Sequence, residues 1–320
     1  MSDIAKEIME CIMKAHSFLI TSHEAGDGDS VGSQLALALI LRRMEKDVLV
    51  LNKDPVPKIY DFLPGVEEIQ TQTKRDLEEF EVIFILDCGS MERTAISIPK
   101  RGMIINIDHH LNNTQFGRLN WVRPDMSSTA EIIYTLGQTL SIPMDRSIGD
   151  NLYTGMLTDT GSFRYSNTSS QCLQAASRLI EAGVSPSYIA RQVYERKSLS
   201  QLLLLGAALS TMKLTDDQKI AHMYLNREML ETCGATLADT EEMVNYPMSI
   251  TSVEVALFFK EISKNFFKIS LRSKGRVNVA AVAEAFDGGG HYNAAGAKVK
   301  GDFTTILKQI IEAVYDQSAF

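Results

Sequence analysis

The sequence predicts an α/β protein with two domains. The first is a doubly wound, mainly parallel sheet, and the second is a smaller α/β domain with a mixed sheet. Short apolar runs alternate with helical patterns through the first half, as expected for parallel strands joined by helices. After a charged segment the pattern shifts towards strands. The length of 320 residues also exceeds what one hydrophobic core usually supports.

The first half contains buried strand candidates of mostly β-branched and aliphatic residues. They are SFLITS, DVLVLN, EVIFILDCGS and GMIINIDHH. Helical spacing occurs around them in IAKEIMECIMKA, DSVGSQLALALILRRM, STAEIIYTLGQTL, RSIGDNLYTGMLTDT and SSQCLQAASRLIEAG. Continuous apolar strands of this kind need a cover of helices on both faces of the sheet. We therefore predict that residues 1–185 form one domain.

The second half begins with a helical linker, predicted over residues 186–204, where a charged pattern leads into an apolar helix. Residues 205–320 form the second predicted domain. Its strand candidates are KIAHMYLN, SVEVALFFKEI and FFKISLRS. They are followed by the helix VNVAAVAEAF, the glycine-rich segment GGGHYNAAGAKVK and the helix DFTTILKQIIEAVYD.

The composition is that of an ordinary globular protein, with 45% hydrophobic and 22% charged residues. The four cysteines (Cys11, Cys88, Cys172 and Cys233) are widely spaced, which argues against a disulfide framework or a zinc ribbon and favours a reducing compartment. The apolar runs are too short to span a membrane, and the N-terminus lacks the basic region of a signal peptide. We therefore expect a cytoplasmic protein without membrane association, whose amphipathic segments are compatible with a homodimer.

The charge is unevenly distributed. The net charge is −8, but residues 264–300 contain five lysines and two arginines against two acidic residues, so the remainder carries −13. An acidic protein is poorly suited to gripping long nucleic acids. The distribution suits a small anionic ligand held beside bound cations, although a solvated basic face is an equally good explanation of the basic segment.

Polar side chains cluster where strands or helices of the first domain are predicted to end. The carboxyl ends of strands in an open α/β sheet gather in one crevice, where ligands bind. Each cluster alone could be a turn or a helix N-cap, but four clusters in one domain favour a metal site. The clusters contain His23, Asp27, Asp29, Asp87, Asp108, His109, His110 and Asp159.

Two histidines and four aspartates would give mixed nitrogen and carboxylate ligation. This set suits Mn²⁺, with Mg²⁺ or Co²⁺ as alternatives, better than a thiolate-rich zinc site. Six ligands are too many for one cation with open positions, but they are enough for two cations that share a bridging carboxylate. Two such ions about 3.5–4 Å apart can activate a water molecule and hold a phosphoryl group for in-line attack.

The motifs HxxxDxD, DCGS, IDHH, TDTGSFRYSNTS and GGGHYNAAGA together resemble the DHH phosphoesterases with a DHH-associated C-terminal domain. The resemblance covers essentially the whole chain in family order. TGSFRYSNTS and SLRSKGRVNVAAVAEAFDGGGH are most similar to the nanoRNases, exonucleases of short oligonucleotides that also dephosphorylate 3′-phosphoadenosine 5′-phosphate (pAp). The resemblance implies a two-metal phosphohydrolase that degrades oligonucleotides of about 2–5 nucleotides to mononucleotides and converts pAp to AMP.

The resemblance also implies individual roles. Asp108 would fix the orientation of a neighbouring imidazole. His110 would face the substrate, where it hydrogen-bonds a phosphoryl oxygen or assists the leaving group. One metal ion would be held by His23 and Asp27, the other by Asp29, His109 and Asp159, and both by Asp87.

In the second domain, the resemblance implies that Arg272 and His291 clamp a substrate phosphate. The arginine fork can meet a phosphate with two hydrogen bonds, and the glycines of GGGH allow close backbone approach. Two interpretations of Arg164 remain, a contact with the nucleotide and an ordinary surface arginine. For Phe163 and Tyr165 the two interpretations are stacking on a base and packing in the core. The supporting substrate-binding candidates are Ser273, Lys274, Gly289 and Gly290.

The chain departs from the family pattern at Gly26, where relatives often carry proline, and we expect this to affect only loop rigidity. Two alternatives stay open. A phosphodiesterase of cyclic di-AMP or its linear product pApA would use the same catalytic residues, and a non-catalytic nucleotide sensor would keep the pocket. The expected partners are therefore short single-stranded RNA or DNA and small nucleotides. Pyrophosphatases lack this GGGH ending, and processive exonucleases of the superfamily have longer chains.

Overall fold

The structure is a computed structural model that describes residues 3–240 and 242–318, apart from the side chains of Asp3 and His291. It divides into two compact units, Met1–Arg196 (unit 1) and Lys197–Phe320 (unit 2). The division falls within the segment predicted as a linker, residues 186–204. Within the described ranges, the helices lack the combination of length and apolar character needed to cross a membrane.

The sheet of unit 1 has six parallel strands in the described residues, in the order β3-β2-β1-β4-β5-β6. The order reverses between β1 and β4, so the predicted doubly wound sheet is confirmed, and its ligand-binding crevice is expected at this point. The strands are β1 (Ser17–Thr21), β2 (Asp47–Leu51), β3 (Ile69–Gln70), β4 (Val82–Leu86), β5 (Met103–Asp108) and β6 (Leu119–Val122).

The helices of unit 1 after the first begin at short polar residues whose side chains accept hydrogen bonds from otherwise unpaired N–H groups. Asp27 accepts from the backbone N–H groups of Asp29 and Ser30 at the start of the second helix, and Ser128 accepts from Glu131 in the third. The helices are α1 (Asp3–Lys14), α2 (Gly28–Arg43), α3 (Thr129–Thr139), α4 (Arg146–Asp159), α5 (Ser170–Glu181) and α6 (Pro186–Tyr194).

Helices α2 and α4 approach closely because glycines face their contact. A Cβ atom on Gly32 would lie 2.4 Å from the backbone oxygen of Asn151. A Cβ atom on Gly155 would lie 2.9 Å from Oδ1 of Asp29. The absence of side chains at these two positions therefore brings the end of α4, at Asp159, towards the beginning of α2.

Unit 2 is built on a mixed sheet in the order β11-β12-β10-β9-β8-β7, as predicted for the second domain. Strands β8 and β9 are parallel, and the other neighbours are antiparallel. The strands are β7 (Lys213–Leu214), β8 (Ile220–Leu225), β9 (Val255–Ser263), β10 (Phe266–Ser273), β11 (Gly289–His291) and β12 (Ala294–Lys300). The helices are α7 (Leu199–Ser210), α8 (Arg227–Cys233), α9 (Val279–Glu284) and α10 (Phe303–Asp316).

The two faces of this sheet differ in their cover. On one face, residues such as Ile269 and Phe259 form a core with α9 and α10. On the other face, a second core joins Ala256 and Phe258 of β9 to α7. In the described part of the chain, neither core includes a residue from the second face of β10 or β12. That part of the sheet therefore presents its side chains outward.

Candidate metal centre

The carboxyl ends of three neighbouring strands supply the predicted metal ligands of unit 1. His23 follows β1 and Asp87 follows β4, so these residues flank the point where the strand order reverses. His109 follows β5, next to β4 in the sheet. Helix α2 adds Asp27 and Asp29 at its start, and α4 adds Asp159 as its last residue.

His23 faces two carboxylates. Its Nε2 atom lies 3.6 Å from Oδ2 of Asp87 and 4.0 Å from Oδ2 of Asp27. Its Nδ1 atom is 2.6 Å from the backbone oxygen of Glu24. A carbonyl can only accept, so Nδ1 carries the hydrogen, and in the neutral ring Nε2 keeps a lone pair directed at the carboxylates. This is the tautomer that a metal ligand needs.

His109 faces a second set of carboxylates. Its Nε2 atom lies 3.4 Å from Oδ2 of Asp159, 3.8 Å from Oδ2 of Asp29 and 3.7 Å from Oδ1 of Asp87. Thus one oxygen of Asp87 faces His109 while the other faces His23. A carboxylate with one oxygen towards each set has the geometry of a bridging ligand.

The predicted ligands thus form two groups joined by Asp87. Within each group, the potential ligand atoms all lie within 4.8 Å of one another. Imidazole nitrogens and carboxylate oxygens at this spacing fit a divalent cation bound at about 2.0–2.2 Å from each ligand. The two groups are His23, Asp27 and Asp87, and Asp29, His109 and Asp159.

Burial makes this cluster costly without cations. It raises the pKa of Asp29 well above its usual range, and the neighbouring carboxylates of Asp87 and Asp159 add to the effect. Burial also raises the pKa of Asp159 to about 6, against the opposing effect of His109. Bound cations would favour the ionised carboxylates and remove this repulsion.

The backbone at the start of α3 holds Asp29 in place. Its Oδ2 atom accepts from the N–H of Thr129 at 2.7 Å, and its Oδ1 atom accepts from the N–H of Ala130 at 2.8 Å. The Ser33 hydroxyl lies 3.2 Å from the same Oδ1. The Thr129 hydroxyl donates to Oδ1 of Asp87 at 3.2 Å. One residue of α3 therefore contacts two proposed ligands.

The carboxylate of Asp108 contacts the ring of His110, which is not one of the proposed metal ligands. Its Oδ1 atom is 2.7 Å from Nδ1 of His110, and its Oδ2 atom accepts from Nδ2 of Asn113 at 2.6 Å. The hydrogen bond to Asp108 raises the pKa of His110 to about 9. Asp87, His109 and His110 also form a close group. Since Nδ1 of His110 is already engaged by Asp108, we favour a substrate-facing role for this histidine.

Sequence reasoning did not identify Thr129 or Asn113. Thr129 stands at the start of a correctly predicted helix, so its N-cap segment SSTAE was the available signal. Asn113 donates through Nδ2 to Oδ1 of Asn106 at 2.7 Å, and Asn106 is fully buried in β5. Nothing in the local sequence distinguishes Asn113 from an ordinary loop residue.

The segment after α4 has an unusual backbone. The φ values of Gly161, Ser162 and Phe163 are 55°, 65° and 59°. Residues other than glycine rarely adopt this left-handed backbone conformation. Phe163 packs edge-on against Tyr153, with ring centroids 5.7 Å apart, so it belongs to the core. The amide of Asn167 donates to the backbone oxygen of Asp159 at 3.1 Å, which ties the segment to the metal centre.

Two side chains of this segment point outward. Arg164 is exposed, and its Nε donates to the backbone oxygen of Gly161 at 2.6 Å. Tyr165 is 59% exposed. Its exposed ring and the Arg164 guanidinium are available to a ligand, whereas Phe163 is committed to packing.

In unit 2, the strand register brings two predicted substrate-binding positions into line. Arg272 of β10 pairs with Ala294 of β12, and Ala294 pairs with His291 of β11. Arg272 is partly buried, which lowers its pKa, and its Nη1 donates to the backbone oxygen of Leu271 at 3.0 Å. The side chain of His291 lies outside the described residues.

The supporting candidates have local structural contacts. The Ser273 hydroxyl accepts from the N–H of Gly275 at 3.0 Å, and Lys274 donates to the backbone oxygen of Ile250 at 2.9 Å. Gly290 has a φ of 149°, and a Cβ atom there would lie 2.5 Å from the backbone oxygen of Ala294. Gly289 has open space where a Cβ would stand. Ser273 thus holds its own loop, Lys274 ties that loop to the segment before β9, and the two glycines shape β11.

Comparison with known proteins agrees with this architecture. Residues 17–156 match the DHH family, N-terminal domain, and residues 217–316 match the DHHA1 domain. A protein of Thermus thermophilus named bifunctional oligoribonuclease and PAP phosphatase NrnA is 31% identical over 299 residues, covering 93% of this chain and 89% of that protein. The protein of the same name from Bacillus subtilis is 29% identical, covering 92% of each chain.

Solved structures show the same fold. An exopolyphosphatase-related protein from Bacteroides fragilis has a TM-score of 0.89 and 31% identity, with 98% of this chain and 96% of that chain covered. RecJ from Thermus thermophilus, solved with Mn²⁺, has a TM-score of 0.53 at 13% identity and is covered over 54% of its length. The second likeness is one of fold alone.

Proposed function

This chain belongs to the DHH family of phosphoesterases, and we propose that it degrades short oligonucleotides to mononucleotides and removes the 3′-phosphate of pAp. The single observation that carries the proposal is the position of Asp87, whose two oxygens face His23 on one side and His109 on the other. Such an arrangement suits two-metal hydrolysis of a phosphate ester. The names of the Thermus and Bacillus relatives support the choice of substrates.

In this proposal the chain holds two divalent cations, and the mixture of imidazole and carboxylate ligands favours Mn²⁺. When bound, such a pair supplies an activated water and neutralises charge on the phosphoryl oxygens. Asp87 would contribute to holding both ions. The remaining ligands are His23 and Asp27 for one ion, and Asp29, His109 and Asp159 for the other.

His110 orients the scissile phosphate. Its Nδ1 is fixed by Asp108, so Nε2 is the nitrogen left for the substrate. The hydrogen bond to Asp108 raises the pKa of His110 to about 9 in the metal-free protein and so favours the imidazolium, which can donate a charge-assisted hydrogen bond from Nε2 to a phosphoryl oxygen. Asn113 donates a hydrogen bond to Oδ2 of Asp108, the oxygen that does not contact His110, and thereby limits rotation of Asp108 and His110.

Unit 2 binds a further phosphate of the substrate through Arg272 and His291. Arg272 is partly buried, and within the described residues no carboxylate forms an ion pair with it. A partly desolvated guanidinium without an anionic partner suits a phosphate, which its planar fork can meet bidentately. Gly289 leaves the adjacent backbone open to close approach, whereas the missing side chain of Gly290 makes room for the backbone of β12.

A substrate panel tests this proposal. The purified protein would be incubated with Mn²⁺ and pAp, RNA dimers to pentamers, pApA or cyclic di-AMP, and the products separated by chromatography. We expect turnover of pAp and of the RNA oligomers. Faster turnover of cyclic di-AMP would replace the proposal with the cyclic dinucleotide alternative. Binding of these ligands without turnover of any would favour the nucleotide sensor.

A further inference from the structure

The uncovered part of the unit 2 sheet contains lysines placed directly opposite one another. Lys268 of β10 pairs with Lys298 of β12; on its other side it pairs with Lys260 of β9, which is buried and lies over the ring of Phe258. Paired residues on neighbouring strands project to the same face, with Cβ atoms about 4.5–5.5 Å apart. Like charges at such positions destabilise a sheet, so this arrangement opposes folding unless an anion offsets it.

No acidic residue compensates for this pair. Lys268 and Lys298 are exposed, and within residues 3–240 and 242–318 neither forms an ion pair with a carboxylate. The neighbouring outward positions are Ser270 and Phe266 on β10 and Gly296 and Lys300 on β12, and none of them is acidic. The acidic residue of β9 nearest by register, Glu261, does not share this face, because it pairs with Phe267 on the side of the core.

The lysines continue a face that begins at Arg272. Arg272, Ser270 and Lys268 alternate along β10, so their side chains project to the same side. Lys268 and Arg272 are four positions apart along the strand, which is a distance of about 13 Å at 3.3–3.4 Å per residue. We call the face formed by Arg272, Ser270, Lys268, Gly296 and Lys298 the basic strip.

We propose that the basic strip binds the phosphodiester backbone of an oligonucleotide beyond the phosphate held at Arg272. The inference rests on the proposed function and extends it to substrate length. A row of cations without carboxylates attracts consecutive phosphates, and the small residues at its centre leave room for the sugars. Binding of phosphates by the strip would also explain why residues 264–300 are basic, which a face exposed only to solvent does not explain.

The length of the strip predicts which substrates use it. About 13 Å corresponds to as many as four nucleotides of a stacked strand, which rises about 3.4 Å per nucleotide. A mononucleotide such as pAp reaches Arg272 but not Lys268. Trimers to pentamers gain the additional contacts, so the strip favours them over pAp and dimers.

The test removes the two exposed lysines together in Lys268→Gln/Lys298→Gln. The matched control, Lys213→Gln/Lys308→Gln, removes two exposed lysines of unit 2 outside the strip. Each protein would be loaded with Mn²⁺, and kcat/KM measured for pAp and for an RNA pentamer. In parallel, fluorescence anisotropy would follow the binding of a phosphorothioate pentamer that resists hydrolysis, over a range of salt concentrations.

We expect the strip variant to lose about tenfold in pentamer affinity while its pAp kinetics change less than about twofold. The slope of log K against log salt should fall by about 1.4, since each phosphate contact of a single strand contributes about 0.7. Equal losses for pAp and the pentamer, or losses equal to those of the control, would overturn the inference. Failure of the unaltered protein to hydrolyse any substrate would instead overturn the proposed function, while the anisotropy measurement would still test the strip.

Discussion

The proposed metal centre of unit 1 and the proposed basic strip of unit 2 would bind opposite charges by opposite structural means. Asp29 and Asp87 are almost fully buried, and backbone and side-chain hydrogen bonds fix them. Lys268 and Lys298 are exposed at paired positions of an open sheet face. We therefore expect the buried site to depend on fixed ligands and to tolerate little change, and the exposed strip to act through the sum of adjustable charges. The predictions below test this contrast in order of expected effect.

The largest effect is expected at Asp87. Asp87→Asn keeps the shape of the side chain but removes the charge shared by the two ligand groups, so we expect kcat to fall by about a thousandfold or more. Titration calorimetry should also show fewer than two Mn²⁺ ions bound per chain. Asp316→Asn, an exposed residue of α10, is the control. Full activity in Asp87→Asn would contradict the bridging role.

Thr129 offers a subtler test of the buried site. Thr129→Val removes the hydroxyl that donates to Asp87 but keeps the side-chain volume and the N–H that donates to Asp29. We expect Mn²⁺ affinity to fall by about 10–100-fold, as for other residues that orient metal ligands. Thr129→Ser should restore the affinity, because it restores the hydroxyl. Equal affinity in the valine and serine variants would show that the hydroxyl has no role in holding the ligand.

Replacement of a glycine by alanine should change the free energy of unfolding in opposite directions in the two units. Gly32→Ala places a Cβ 2.4 Å from the backbone oxygen of Asn151, so we expect it to lower the free energy of unfolding by about 1–3 kcal/mol. Gly206→Ala, in α7 of unit 2, meets nothing within 4 Å and should stabilise its helix by about 1 kcal/mol. Thermal denaturation of both variants measures the difference. A neutral Gly32→Ala would contradict the close contact of α2 and α4.

A dependence on pH should distinguish the two regions. Burial raises the pKa of Asp159 to about 6, so in the metal-free protein this carboxyl is protonated below that pH and ionised above it. A cation must displace this proton, and protons bound to other ligands such as Asp29, so Mn²⁺ affinity is expected to fall by at least about tenfold per pH unit as the pH drops below 6. The basic strip contains no carboxylate, so the factor by which Lys268→Gln/Lys298→Gln weakens binding of the phosphorothioate pentamer should stay constant over the same range. Calorimetric titrations between pH 5 and 8 would measure the first, and anisotropy the second.

The sequence predicted the general architecture well because its signals are local. Buried strand patterns and helix starts are visible in short segments, and strand ends in a doubly wound sheet place residues such as His23 and Asp87 in one crevice. The doubly wound order and the mixed second sheet were both confirmed. The metal and substrate roles of the individual residues stay predictions.

The remaining features depend on contacts between distant segments. The sequence could not show that Asp108 selects His110, because both histidines follow it directly. It also could not show that Lys268 lies opposite Lys298, since the alternation that predicts a strand does not specify its partner or register. Phe163 was open between core and base stacking until its contact with Tyr153 was known.

The glycines between α2 and α4 have a consequence for the choice of ion. Because α2 and α4 approach without intervening side chains at Gly32 and Gly155, side-chain rearrangement there cannot change the spacing of the two backbones from which Asp29 and Asp159 project. Ca²⁺ needs longer bonds, of about 2.3–2.6 Å, and more oxygen ligands than Mn²⁺ or Mg²⁺. The fixed spacing of α2 and α4 would therefore favour the smaller ions, and we expect Ca²⁺ to compete weakly for these positions even where it is abundant.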